Sequence, residues 1–361
     1  MNNSQTVNEY VPDYLVTPGE VLEEYLDHIG ITQASLAERT GLSKKTINEI
    51  VKAKSAITAE TALRFERTLG RPAHFWSNLE RQYQEDKTRL ADKIRLEEDL
   101  HWLDLFPIKE MAKLGWIEKP KEKVQQLVVL LRFFAVASPE QWETIWTREL
   151  QAAFRNKISS PKDMAVISAW LRKGEIIAQE QYCAHPAGAA KFDRQKFNNC
   201  LAEIRKLTIE GSEIFVPKLQ SICAAAGVVV IFIPALPKLG TYGATRRLGD
   251  KYIMQLSLYG KTNDELWFTI FHEAFHIIND PHGEQNTEEK ADVFAQDILI
   301  PPDELAHFFL SNFKPTLQQI ETFAARIGIA PGIIVGRLQH DGIIPRNVGN
   351  GLKARYEWVK G

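Results

Sequence analysis

The sequence has few cysteines and no long hydrophobic run. Only Cys183, Cys200 and Cys223 occur in 361 residues, and no two of them form a CxxC pair. This spacing argues against a disulfide framework and against a cysteine-based zinc finger, and it is typical of a protein in a reducing cytosol. The longest apolar stretches, VVLLRFFAVA and GVVVIFIPAL, are too short or too interrupted to cross a bilayer. The polar N-terminal residues MNNSQTVNEYVPDY lack the apolar core of a signal peptide. We therefore expect a cytoplasmic protein with no membrane segment.

The chain also lacks an excess of charge of either sign. Lys and Arg total 44 against 46 Asp and Glu, which gives a formal net charge of −2. A surface that binds nucleic acid must therefore be local. One is indicated between Arg39 and Arg71, where eight Lys or Arg stand against three Glu, a local charge of 8 − 3 = +5.

Composition and periodicity along the chain predict three parts. Residues 1–86 contain several short helices, with Thr32, Ser43 and Thr58 at N-cap positions and Gly30, Gly41 and Gly70 at helix ends. Residues 87–210 have apolar positions at helical spacing and are expected to form a helical connector. Residues 211–361 are expected to be an α+β module. In this module two strands, VVVIFIP (228–234) and KYIMQLSL (251–258), precede several helices, and PKLGTYGAT between them is expected to be a turn or loop.

A helix-turn-helix motif is predicted within residues 33–52. Ala37 falls where two helices of such a motif pack closely, and Gly41 falls at the turn, where positive φ is expected. Ile47 and Ile50 then point inward from the second helix. Its outer face and the start of the first helix supply the predicted DNA contacts: Gln33, Ser43, Lys44, Lys45, Asn48 and Lys52.

The basic cluster favours DNA binding, although a helical interaction domain with a solvated basic face is an alternative. Small modules of this kind usually read a palindrome as a symmetric pair. We therefore expect operator DNA as a partner and a homodimer.

The stretch WFTIFHEAFHII contains His-Glu-x-x-His at His272, Glu273 and His276. On a helix the two histidines lie on one face, and neutral imidazoles suit zinc. Glu273 lies beside them, where it could take a proton from water. Chance occurrence is the alternative, but an apolar helix is a costly place for unpaired imidazoles and a carboxylate.

The next predicted helix, NTEEKADVFAQDIL, could supply a third ligand. Glu288 shares the face of Ala291 and Ala295, whereas Glu289 is rotated away. Asp292 could orient a ligand imidazole through a hydrogen bond to the ring nitrogen that does not bind the metal. The alternative for Glu288 is a first-turn carboxylate that the helix dipole favours. We expect one Zn²⁺ per chain, bound by His272, His276 and Glu288.

Three weaker candidates surround this site. Tyr242 could overhang the cleft and bind a substrate backbone or stabilise an oxyanion. The strand KYIMQLSL could accept an extended peptide at its edge. His282 could neighbour the site or equally be a surface residue in a turn.

Both motifs resemble known families. TPGEVLEEYL, ITQASLAERTGLSKKTINEIVKAKSAIT and ALRFERTLGRPAHFWSNLERQY resemble the antitoxin-type helix-turn-helix of the HigA/XRE group. YGATRRLGDKYIMQLSLYGKTNDELWFTIFHEAFHII and EEKADVFAQDILIP resemble the ImmA/IrrE metallopeptidase-like family. Phe275 departs from that family, because many members have Gly at this position. The bulky ring could narrow the cleft or alter the packing of the helix.

The resemblance implies a mainly α protein, with a helix-turn-helix bundle and helical spacer followed by an α+β zincin-like metallopeptidase domain. It implies that His272, His276 and Glu288 bind zinc and that Glu273 activates water. The function it implies is a transcriptional regulator whose zinc domain cleaves one regulatory protein. The alternative is a DNA-binding antitoxin whose zinc domain is an idle sensor or binds a cognate toxin.

Overall fold

The computed structural model describes residues 15–153, 158–184, 190–279, 287–311 and 315–359. It divides the chain into two compact units, Met1–Leu100 and His101–Gly361. Within the described ranges, no helix is both long and apolar enough to cross a membrane. The three-part division with boundaries at residues 86 and 210 stays a prediction.

Five helices form the first unit. They are α1 (Pro18–Ile29), α2 (Gln33–Thr40), α3 (Lys44–Val51), α4 (Ala59–Leu69) and α5 (Ala73–Glu98). The predicted N-caps are confirmed, since Thr32, Ser43 and Thr58 each accept a hydrogen bond from a backbone amide in the first turn. The predicted helix ends are also confirmed, because Gly30, Gly41 and Gly70 each have a left-handed backbone.

The core of the first unit explains the apolar pattern of its helices. Phe65 and Trp76 are fully buried and meet edge to face, with ring centroids 5.4 Å apart. Ala37, Ile47 and Ile50 are buried in the same core, as expected for a helix-turn-helix. Beyond Trp76, α5 continues for six turns, and Leu96 is the only other buried residue in this helix.

The second unit is mainly helical. The helices before its sheet are α6 (Ile108–Lys113), α7 (Lys123–Phe134), α8 (Pro139–Ala153), α9 (Pro161–Ala184), α10 (Arg194–Lys206) and α11 (Ser212–Ala225). The helices after the sheet are α12 (Asn263–Asn279), α13 (Thr287–Leu299), α14 (Pro302–Ser311), α15 (Leu317–Ile327) and α16 (Pro331–His340). Short 3₁₀ helices span Asp99–Leu105, Leu207–Ile209 and Asn350–Leu352.

The described sheet has three strands, one more than the sequence predicts. They are β1 (Val228–Phe232), β2 (Gly243–Leu248) and β3 (Lys251–Leu256), in the order β1-β3-β2. β1 is parallel to β3, and β2 is antiparallel to it. The predicted loop PKLGTYGAT therefore ends in a strand, because GATRRL and KYIMQL pair as a hairpin through the turn at Gly249.

This order corrects the prediction that β3 offers an edge to a peptide. β3 has a neighbour on each side, so its backbone groups are already paired, and the outer strand next to α12 is β2. One face of β3 packs on α9, where buried Gln255 donates a hydrogen bond to the Trp170 carbonyl at 2.7 Å. The opposite face carries Tyr252, Met254 and Leu256 into a core shared with α12.

Candidate functional site

Helix α12 brings the two histidines of the motif to one point. His272 and His276 are one turn apart, and their Nε2 atoms are 3.1 Å from each other. The helix is fixed from the other side, because Trp267, Phe271 and Ile277 are completely buried in the core of the second unit. The apolar pattern of the sequence thus orients the two imidazoles toward the cleft.

Helix α13 adds the carboxylate that the sequence singles out. The two oxygens of Glu288 lie 3.4 Å from Nε2 of His272 and 3.4 Å from Nε2 of His276. Ala291 and Ala295 are fully buried, so small side chains allow α13 to approach α12 closely. In the described part of the chain, these three residues form the group of side chains that could hold a metal ion.

The distances between the three donors fit a zinc ion. Zinc bonds to imidazole nitrogen and carboxylate oxygen are about 2.0–2.2 Å long, so tetrahedral ligand atoms stand about 3.3–3.5 Å apart. The observed separations of 3.1, 3.4 and 3.4 Å agree with that geometry. The side chain of Glu288 is 73% exposed, so the candidate metal site is open to solvent next to Glu288.

Asp292 lies in α13, one turn after Glu288, next to the Nδ1 atom of His272. Its Oδ1 accepts a hydrogen bond from Nδ1 of His272 at 2.8 Å. This contact orients the ring so that Nε2 faces Glu288 and His276, and in the neutral ring it leaves the Nε2 lone pair for a metal ion. The position is the one that the sequence suggests for Asp292.

The pKa values of the two histidines shift in opposite directions. Burial disfavours a charged His272, but the hydrogen bond that the protonated ring donates to Glu288 and the charges of Glu273, Glu288 and Asp292 outweigh it and raise the His272 pKa. Burial and the neighbouring His272 lower the pKa of His276. His276 is therefore neutral at pH 7 and can donate its lone pair to a cation.

Glu273 is the most enclosed of the three carboxylates Glu273, Glu288 and Asp292, with only 7% of its surface exposed. Its Oε2 accepts a hydrogen bond from the hydroxyl of Thr245 on β2 at 2.7 Å. Gly243 lies two residues before Thr245, and its lack of a side chain leaves space for the side chain of Glu273. A Cβ there would lie 2.8 Å from Oε1 of Glu273 and 2.7 Å from Cγ2 of Thr269. Sequence analysis missed both β2 residues, although a glycine in a strand, as Gly243 is in β2, can indicate close backbone approach.

A cavity of about 720 Å³ opens beside these residues. His272, Glu273, Glu288 and Asp292 line it, and Tyr242 lines it from the loop before β2. Burial and the nearby charge of Glu265 raise the pKa of Tyr242, so its hydroxyl remains a hydrogen-bond donor at neutral pH.

The far wall of the cavity comes from the C-terminal segment, which sequence analysis did not assign to the site. Lys353 reaches Oδ2 of Asp264 at 2.6 Å, and both side chains are nearly buried. The segment is held in place by a hydrogen bond from the Asn263 amide to the Ala354 carbonyl and another from Tyr356 to Lys261, each 2.9 Å.

Phe275 does not belong to the described lining of the cavity. Its ring packs against Phe294 of α13, with centroids 5.4 Å apart. The bulky residue therefore joins the two helices that carry the candidate ligands. His282 lies outside the described residues.

The predicted DNA-contacting residues lie on the surface of the first unit. Ser43, Lys44, Lys45, Asn48 and Lys52 are all exposed at or near α3. Ser43 is also the N-cap of α3, and Lys45 is 3.7 Å from Glu49. Gln33, at the start of α2, donates a hydrogen bond to Glu23 at 3.3 Å.

A known protein family matches a segment of this first unit. Residues 22–76 match the model of a family described as helix-turn-helix. Virulence-associated protein I of Dichelobacter nodosus is 38% identical over 96 residues, which cover 25% of this chain and 89% of that protein. The chain belongs to the helix-turn-helix family. Antitoxin HigA-1 of Vibrio cholerae is 33% identical over 66 residues, 18% of this chain and 62% of the antitoxin.

Solved structures give matches of similar extent for this helix-turn-helix protein. The Pseudomonas aeruginosa antitoxin HigA, solved with the higBA promoter, is 32% identical, with 24% of this chain and 94% of that chain covered and a TM-score of 0.22. A HigA-family antidote protein of an addiction module from Coxiella burnetii is 27% identical, with 23% and 91% covered and a TM-score of 0.22. The sequence matches confirm the predicted similarity to antitoxin-type helix-turn-helix proteins.

Proposed function

We propose that this protein is an antitoxin-type transcriptional regulator that binds operator DNA and carries a zincin-like endopeptidase site for one regulatory protein. The observation that carries the enzymatic part is the group of three donors at tetrahedral spacing beside buried Glu273. A structural zinc site has no need of an open cavity or of a neighbouring carboxylate that binds no metal.

A zinc ion held by His272, His276 and Glu288 would polarise a peptide carbonyl and make water more acidic. Glu273 accepts the proton when the water oxygen attacks the carbonyl carbon. It then delivers this proton to the amine nitrogen as the carbon–nitrogen bond breaks. Thr245 holds the carboxylate of Glu273 in place during both transfers. Tyr242 donates a hydrogen bond to the oxyanion that forms on the substrate.

An extended substrate fits along β2, because β2 is the outer strand of the described sheet that packs on α12 and passes beside Glu273. Backbone pairing with an outer strand holds a peptide in one orientation and excludes folded proteins. Gly243 keeps the strand close to the catalytic helix at this point. These features favour cleavage of a flexible segment in one target protein.

The DNA-binding part rests on the helix-turn-helix match and on the charge of the first unit. Lys44, Lys45 and Lys52 are exposed on or just after α3, within the segment of local charge +5. In this motif the start of the second helix enters the major groove and its basic side chains contact phosphates. A second copy of the chain would provide the matching half-site contact.

A second candidate function is a metal-binding sensor or toxin-binding module without hydrolysis. The observation that favours it is the contact between Oε2 of Glu273 and Thr245, which occupies one oxygen of the catalytic carboxylate. In both candidate functions the same three residues hold the metal.

Metal content and hydrolysis together test these candidates. Protein purified without chelators is analysed by elemental mass spectrometry, with Glu288→Ala as the test variant and Glu289→Ala as the matched control on the same helix turn. We expect about one zinc per chain, retained in the control and lost in the test variant.

Hydrolysis of a proteome-derived peptide library, followed by mass spectrometry, then distinguishes enzyme from sensor. Glu273→Gln is expected to retain zinc and lose cleavage. Zinc without cleavage in the wild type would support the sensor. Absence of metal from the wild type would contradict both roles.

A further inference from the structure

Two exposed tyrosines stand side by side next to the cavity. Tyr242 lines the cavity and is 40% exposed, and Tyr259 is 52% exposed. Their rings meet edge to face, with centroids 5.1 Å apart and an angle of 80° between the ring planes. The face of an aromatic ring carries partial negative charge and attracts cations. The pair therefore offers exposed aromatic surface that suits a positively charged group.

The two loops that carry these tyrosines are joined by Ser257, which is 1% exposed. Its backbone amide donates a hydrogen bond to the Tyr242 carbonyl at 2.9 Å. Its hydroxyl accepts a hydrogen bond from the Tyr259 amide at 3.2 Å. Because a buried residue links both backbones, the fold itself sets the two rings beside each other.

Glu265 adds a carboxylate to the same end of the cavity. It lies half-buried in the first turn of α12 and lines the cavity. Its Oε2 accepts a hydrogen bond from the Thr262 hydroxyl at 3.1 Å. Among the described residues no lysine or arginine forms an ion pair with Glu265, whereas the neighbouring Asp264 pairs with Lys353 at 2.6 Å. The charge of Glu265 is thus available to a cation that enters the cavity.

The carboxylate and the tyrosines are close to one another. Glu265 packs against the backbone of Gly260, the residue after Tyr259, and an added Cβ on Gly260 would collide with the carboxylate. Burial, and then the charge of Glu265, raise the pKa of Tyr242, which places this carboxylate near the phenol as well. An acidic group beside two exposed rings is an arrangement that binds cations.

We propose that Tyr242, Tyr259 and Glu265 form a pocket for a basic side chain, lysine or arginine, of the peptide substrate. The cationic group pairs with the carboxylate and lies against the rings, and its methylene stem covers apolar surface of the tyrosines. This inference rests on the proposed function, because it names the chemistry of a substrate for the same cavity.

The place of the pocket predicts where the basic residue stands in the substrate. Glu265 precedes His272 by two turns on one face of α12, which is about 10 Å along the helix axis. An extended peptide advances about 3.3 Å per residue, so the recognised side chain lies within about three residues of the cleaved bond. β2 begins at Gly243, directly after Tyr242, so a peptide that pairs with β2 passes the pocket at the start of this strand.

Peptide binding without cleavage tests the pocket first. Two fluorescently labelled heptapeptides of alanine, one with lysine and one with norleucine at the centre, are titrated with the full chain in the Glu273→Gln background, and anisotropy gives the dissociation constants. We expect the lysine peptide to bind about tenfold more tightly, and Glu265→Gln to abolish this difference. Glu213→Gln is the matched control, because Glu213 is an exposed carboxylate in the first turn of α11 and is not among the described residues that line the cavity. Failure to discriminate between the peptides, or a preference that survives Glu265→Gln, would overturn the proposal.

The aromatic part is tested at Tyr259 in the same assay. Tyr259→Phe keeps the ring and is expected to keep the preference for lysine. Tyr259→Leu removes the ring and is expected to reduce the preference about threefold. Circular dichroism checks that both variants are folded. An equal preference in the two variants would exclude the Tyr259 ring from the pocket.

Cleavage of a proteome-derived peptide library separates this inference from the proposed function. We expect lysine or arginine to be enriched at one position within about three residues of the cleaved bond, and Glu265→Gln to remove the enrichment. A binding preference for lysine with no cleavage by the wild type would contradict the endopeptidase and support the pocket. Cleavage without a basic residue at any fixed position would support the endopeptidase and contradict the pocket.

Discussion

Thr245 on the outer strand and Glu273 on the histidine-bearing helix are joined by a hydrogen bond of 2.7 Å. The contact links residues 28 positions apart in sequence and orients a carboxylate that is almost fully buried. A buried carboxylate needs such donors, because leaving it without them is costly. β2 therefore positions the proposed proton acceptor as well as bordering the cleft.

Thr245→Val is expected to destabilise the protein, because the variant keeps the shape of the side chain and removes the donor to Glu273. The loss of a hydrogen bond to a buried charged group costs about 2 kcal/mol in the free energy of unfolding. Urea denaturation measures this quantity. Thr245→Ser, which keeps the hydroxyl, is the control and should lose much less. In the background of Glu273→Gln, Thr245→Val should lose less unfolding free energy, since the acceptor is no longer charged. An undiminished loss would show that the hydrogen bond between Thr245 and Glu273 contributes little to stability.

Gly243→Ala tests the space between β2 and α12. The new Cβ would approach Thr269 and Glu273 to between 2.7 and 2.9 Å, so the strand or the helix must move. We expect a loss of about 1–3 kcal/mol in unfolding free energy and a displaced Glu273. Gly351→Ala, where an added Cβ meets nothing within 4 Å, is the matched control. Equal stability of the two variants would contradict the close approach.

Substitutions at Lys353 and Asp264 test how the C-terminal segment is held to the cleft. Their side chains are 13% and 10% exposed, and Oδ1 of Asp264 is buried without a hydrogen-bond partner among the described residues. Lys353→Met removes the cation and leaves the carboxylate uncompensated, which is expected to cost about 3 kcal/mol in unfolding free energy. Adding Asp264→Asn should recover much of this loss. A double variant no more stable than Lys353→Met would show that the charge of Asp264 is not the cause.

The sequence predicts well those features that depend on local patterns. Helix caps at Thr32, Ser43 and Thr58 follow from short-range hydrogen bonding. The convergence of His272, His276 and Glu288 follows from helical spacing together with the small residues Ala291 and Ala295. The caps and the histidine pair depend on neighbours within about one helical turn, whereas Glu288 joins the histidines through the packing of α13 against α12.

Features that depend on pairing between distant segments are not predictable in the same way. The sequence does not indicate β2, because GATRRL lacks the apolar alternation of a typical strand and is stabilised by its partner β3. The predicted edge position of KYIMQLSL is wrong, since strand order is a property of the assembled sheet. The role of Lys353 depends on a contact with Asp264, 89 positions earlier, which no local pattern indicates.

The salt dependence of DNA binding tests the assignment of α3. Lys44→Ala/Lys45→Ala is expected to weaken binding to a random-sequence duplex and to reduce the slope of log K against log salt by about 0.9 for each phosphate contact removed. Fluorescence anisotropy over a salt series gives the slope. Lys109→Ala/Lys113→Ala removes the same charge from exposed positions of α6 in the second unit and is the control. A general charge effect would lower both slopes equally, whereas a recognition helix at α3 predicts a change only in the first variant.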